Sequence, residues 1–119
     1  MVGKMEEYTM QRRRLLSLIV LALPAVTGWP GRSRAATAHK VDIRGFAFQP
    51  KSLDVQVGDT VTFTNRDNAP HTATASDKSW TTGTLNSNES GEITVAAGME
   101  GAYFCRFHPG MKGKLAIAG

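Results

Sequence analysis

The chain has 119 residues, a formal charge of +4, three His and a single Cys. One cysteine excludes an internal disulfide framework. Six of the fourteen Lys and Arg lie ahead of residue 39, so the remainder carries eight basic against eight acidic residues and gives no case for nucleic acid.

The first 38 residues differ in kind from the rest. Arg12-Arg13-Arg14 precedes an apolar run over 15–26, and Ala36-Thr37-Ala38 places small residues at −3 and −1 of a cleavage point after Ala38. That is the pattern of an export signal. The run is 12 residues long and holds Ser17 and Pro24, short of the roughly 20 that a spanning helix needs. Residues 1–38 are therefore expected to be cleaved. Residues 39–119 remain as one small domain without a membrane span, periplasmic, delivered by the Sec route or by the twin-arginine route that the paired arginines suggest. His39 would stand at the new N-terminus, where it reads as a residue with no assigned metal role. A lone thiol in an oxidising compartment is a liability unless something holds it, and metal ligation would do so.

From Val41 the pattern has period two. Val41 and Ile43 alternate with polar residues, Phe46 and Phe48 follow, and Pro50 interrupts. Leu53, Val55 and Val57 then alternate with Ser52, Asp54 and Gln56, and after the turn Gly58-Asp59 so do Val61 and Phe63 with threonines. A polar connection over 65–70 leads to His71, followed by the strand-like Thr72-Ala73-Thr74. Residues 80–88 look irregular, 92–95 form a short strand, and 98–101 a turn before the aromatic run that starts at Ala102. No helical stretch stands out. About seven short strands predict an all-β sandwich or barrel with Phe46, Phe48, Val55, Val61, Phe63, Ile93, Tyr103, Leu115 and Ile117 in its core and Trp80 as core or lid.

Cys105-Arg106-Phe107-His108-Pro109-Gly110-Met111 then places thiolate, imidazole and thioether at C-x2-H-x2-M spacing. Pro109, Gly110 and Gly113 break a helix there, so the run is expected to be a loop between two strands, at one end of a sheet. Zinc rarely takes a thioether and calcium or magnesium want oxygen, whereas two His, one Cys and a weak axial Met are the ligands of a blue copper centre. His71 supplies the second imidazole. Taken singly, a His is more often a surface or hydrogen-bonded residue and Met111 a core filler; in this order and spacing, metal ligation is the better reading.

The runs Phe46-x-Phe48-x-Pro50, Leu53-x-Val55-x-x-Gly58-Asp59-x-Val61-x-Phe63-x-Asn65, Pro70-His71-Thr72 and Tyr103-x-Cys105-x-x-His108-Pro109-Gly110-Met111-x-Gly113 resemble the plastocyanin and amicyanin branch of the cupredoxins, across nearly all of the mature chain. The short ligand loop is similar to that of amicyanin. Arg106, Phe107 and Gly110 depart from it and put a charge and a ring beside the metal. The resemblance implies a cupredoxin-like Greek-key β-sandwich with one type 1 copper at one end, held by His71, Cys105, His108 and Met111. It also implies that the backbone N–H of Asn65 donates to the Cys105 sulfur.

The function so implied is transfer of single electrons by Cu(II)/Cu(I) cycling, without enzymatic activity. Ala69, Pro70, Phe107 and Pro109 would frame His108 as an apolar patch for brief docking to a redox protein such as a dehydrogenase or a c-type cytochrome, the protein itself being a monomer. Arg106, Lys112 and Lys114 would steer an acidic partner. The alternative is a periplasmic copper carrier without an electron-transfer role. A copper enzyme would need a second site that three His do not build, and a structural zinc domain is the remaining contrast.

Overall fold

The computed structural model describes residues 34–119. The export segment expected over 1–38 lies outside them except for its last residues, 34–38. Eight strands form: β1 (Ala38–Ile43), β2 (Phe48–Gln49), β3 (Ser52–Gln56), β4 (Thr60–Asn65), β5 (Thr74–Ala75), β6 (Ser90–Thr94), β7 (Ala102–Cys105) and β8 (His108–Ala118). That is one more than the sequence pattern resolves, because β2 and β5 are only two residues each and carry no readable period. No described residue is helical.

The strands build two four-stranded sheets, ordered β2-β1-β4-β6 and β3-β8-β7-β5. Both are mixed, with β1 parallel to β4 and β3 parallel to β8. They face each other as a Greek-key β-sandwich. Alternation sends Val41, Ile43, Val61 and Phe63 inward from the first sheet, and Val55, Tyr103 and Leu115 from the second. Aromatic edges close the middle, Phe48 against Tyr103 at 4.7 Å and Phe63 against Tyr103 at 5.3 Å between ring centroids. Trp80 packs at the margin of this cluster, stacked on Phe63, with its indole N–H donating to the Glu100 carbonyl at 2.9 Å. Ile93 and Ile117 are also marginal, only partly buried.

Two expectations are corrected. Phe46 is no core residue: its side chain is 50% exposed. Gly45 and Phe46, with φ of 64° and 55°, are the two tip residues of a hairpin closed by Arg44 N–H to Ala47 O at 2.9 Å. Positive φ at both positions is the signature of the tight two-residue turn, and it breaks the parity that Phe46 shares with Phe48 on paper. The second correction concerns the ligand run. Arg106 and Phe107 alone form the turn, and β8 resumes at His108, which pairs with Cys105. The register then jumps so that Phe104 faces Lys112, leaving Pro109, Gly110 and Met111 as an extra stretch on β8. Such an irregularity accommodates Pro109 inside a strand and re-aims the residues beside it.

The N-terminal strand is anchored at its start. Buried Asp59 accepts from Thr37 N–H (2.9 Å) and Gln56 N–H (3.0 Å), and lies 2.9 Å from His39 Nε2.

Candidate metal centre

Three elements converge at one end of the sandwich. His71 follows the 65–70 connection and is pinned by a two-way backbone bridge to Leu85, at 3.1 and 2.8 Å. Cys105 ends β7, and His108 begins β8 across the two-residue turn. His71 and Cys105 are fully buried, and His108 is half-buried.

Their donor atoms meet. Cys105 Sγ lies 3.7 Å from His71 Nδ1 and 3.8 Å from His108 Nδ1, and the three atoms all fall within 4.8 Å of one another. Two imidazole nitrogens and a cysteine sulfur in that arrangement surround a space of metal size and no side-chain carboxylate belongs to the group. Met111 is buried in the same apolar cluster as Cys105, three residues beyond His108. His39 is committed to Asp59 instead.

The surrounding hydrogen bonds fix these side chains in place. Asp67 Oδ2 sits 2.9 Å from His71 Nε2. An ionised carboxylate only accepts, so Nε2 carries the proton and Nδ1 keeps its lone pair toward the sulfur. Asp67 also accepts from Gly45 N–H (2.8 Å) and Phe46 N–H (2.9 Å). Partial burial pushes its carboxyl up, but the N–H donors of Phe46 and Gly45, then His71, outweigh that and hold it below the ordinary carboxylate value.

The donor to the sulfur is Thr72, whose N–H reaches Cys105 Sγ at 3.4 Å. The expectation that Asn65 does this through its backbone is corrected, since Asn65 N–H donates to Glu89 O at 2.9 Å. The Asn65 side chain instead braces the neighbouring backbone. Its Nδ2 donates to Ala69 O (2.8 Å) and Leu85 O (2.9 Å), and its Oδ1 accepts from Asp67 N–H (2.9 Å). Asn65 thus ties both ends of the loop that presents His71. Thr72 Oγ1 accepts from Arg106 N–H at 2.9 Å, joining the His71 segment to the turn between Cys105 and His108.

Around the centre, Pro70, Phe107 and Pro109 are exposed and Ala69 is half-buried, with Phe107 at 50%. Phe46 was absent from the expected site, yet its ring stands edge-on to His71 at 4.9 Å and to His108 at 4.8 Å. Asp67, Thr72 and Phe46 are the contributors that residue-type reasoning overlooks. The first two flank His71 at −4 and +1, where loop and neighbour contacts are the rule; the third is legible only if 45–46 is taken as a hairpin tip.

Residues 17–117 match the family model described as a cupredoxin-like domain. Among solved structures, a copper(I) form of a Met-to-Ala mutant of amicyanin is 30% identical over 72% of this chain and 87% of its own, with a TM-score of 0.59. An oxidized Pro-to-Gly mutant of amicyanin is 27% identical over 76% and 97%, with a TM-score of 0.60. A reduced Trp-to-Tyr mutant is 29% identical over 72% and 87%, with a TM-score of 0.58. No protein of the curated set matches the sequence.

Proposed function

Since the chain belongs to the cupredoxin family, of the amicyanin type, we propose that it is a small exported blue copper protein that passes single electrons between redox proteins. The observation that carries this reading is the convergence of His71 Nδ1, Cys105 Sγ and His108 Nδ1. Family membership implies one copper, and the donor set fits it. His71, Cys105 and His108 would hold the ion, with Met111 as the weak fourth contact. When bound, copper supplies a one-electron Cu(II)/Cu(I) couple.

The residues account for a rigid site. Asp67 orients His71 through Nε2, and Thr72 N–H donates to the Cys105 sulfur, where a hydrogen bond would tune the potential of a bound copper. The Arg106 to Thr72 bond and the His71 to Leu85 bridge hold both ligand segments, so that the ligand atoms are positioned before the metal arrives. His108 is the half-buried ligand and would be the point of electron entry and exit. Pro70, Phe107, Pro109 and Ala69 would frame it for a transient partner of the dehydrogenase or cytochrome kind. Periplasmic location and a monomeric state belong to the same proposal; no helix among the described residues is long and apolar enough to cross a membrane. Electron carriage rather than enzymatic turnover is the role known of the family.

The test is the visible and EPR spectrum of the copper(II)-reconstituted protein beside Cys105→Ser. An intense charge-transfer band with narrow copper hyperfine splitting, bleached by reductant, restored by oxidant and absent from the variant, is the expected result. Rapid surrender of copper(I) to a chelator without reversible colour would instead indicate a copper carrier.

A further inference from the structure

Phe46 combines three features that a surface residue does not share by accident. Its ring is half exposed while touching both imidazoles, one of which, His71, is fully buried. Its backbone is in the left-handed region at φ 55°, which a bulky residue enters only under strain. Asp67 holds the strained turn by accepting from Gly45 N–H and Phe46 N–H, and the same carboxylate accepts from His71 Nε2. Glycine would fill this tip without strain, as its neighbour Gly45 does. The ring is therefore accounted for by its contacts rather than by the turn.

We propose that Phe46 is a positioning residue of the metal centre: a cap, clamped by Asp67, that locks the His71 and His108 rings and covers the route by which metal leaves. It stands between the buried imidazole and solvent. Its contacts at interplanar angles of 89° and 85° oppose rotation of both rings at once. The hairpin carries it in from the opposite sheet to that of Cys105, so the cap is independent of the ligand turn. The proposal rests on His71 and His108 being metal ligands, and part of its test needs no metal.

Phe46→Gly is the informative variant, because it removes the ring while relieving the backbone. With the copper(I) protein and excess bathocuproine disulfonate, release is expected to be about tenfold faster, since each edge-to-face pair is worth a factor of roughly two to ten. Phe46→Leu, apolar but ringless, should also release faster. Phe46→Tyr should restore the original rate, and Val57→Ala, which trims another exposed apolar residue, should leave it unchanged. In the metal-free protein, NMR should show Phe46 ring protons in cross-relaxation with both imidazoles, and Phe46→Gly should shift and broaden the His108 ring signals. Unchanged release, or imidazole signals unmoved by Phe46→Gly, overturns the proposal. A protein that takes up no copper refutes the blue copper reading, and the metal-free spectra then decide the cap.

Discussion

Replacing Asn65 by Ala tests whether the His71 loop is held as described. The residue is fully buried, and its side chain makes three hydrogen bonds, to Ala69 O, Leu85 O and Asp67 N–H, at 2.8 to 2.9 Å. Each bond contributes about 1 kcal/mol net. Leu85 O keeps the His71 N–H as a partner, but the other two groups lose theirs. The loss should be about 3 kcal/mol, a large part of the stability of a domain this small. Urea denaturation of the metal-free protein, followed by far-ultraviolet circular dichroism, isolates folding from metal binding. At a slope near 1 kcal/mol per molar, typical of small domains, the midpoint should fall by about 3 M with the slope unchanged. A loss below about 1 kcal/mol would show that water replaces these bonds without penalty and that Asn65 does not organise the loop.

Gly113→Ala should destabilise by about 1–3 kcal/mol in the same assay, because its Cβ would come within 2.7 Å of Tyr103 Cε2 and closer still to Cζ and the hydroxyl oxygen, in a packed core. Tyr103→Phe should be stabilising by about 1 kcal/mol, since the buried hydroxyl has no protein partner. Burial raises the Tyr103 pKa, so the hydroxyl adds no pH dependence below the ordinary value of 10.0, and stability falls as pH rises above it because the unfolded chain ionises first. Tyr103→Phe should accordingly flatten the alkaline limb of a stability profile. The Asp67 carboxyl is held low, so its contribution is intact above the ordinary carboxylate range and declines as the pH falls through it; Asp67→Asn should reduce the acid slope of metal-free stability.

Strand content and the three converging donor side chains, His71, Cys105 and His108, were legible because each rests on local rules. Period-two alternation of Val41, Ile43, Val61 and Phe63 follows from strand geometry alone, and the donor types of Cys105, His108 and His71 follow from metal chemistry. Pro109, Gly110 and Gly113, after an aromatic run and before an alternating one, were enough to place a reversal near Cys105. Its length was not: proline and glycine exclude a helix but not a strand with an irregular register, so the entry of 108–111 into β8 depends on pairing with β7.

What the tertiary structure alone decided is who meets whom, within each sheet and between the two. Parallel pairing of β1 with β4 and of β3 with β8 joins segments distant in sequence, and no local pattern encodes a partner. The sulfur's N–H donor changed from Asn65 to Thr72 because a bond of 3.4 Å depends on how the His71 segment lies against the end of β7, which residue types do not specify. Phe46 moved from the core to the candidate metal centre for a related reason. Side-chain parity holds only while the backbone stays extended, and two consecutive residues at positive φ reversed it. Composition determined the chemistry available to this protein, and the packing of a hairpin tip against His71 and His108 determined which residues surround that chemistry.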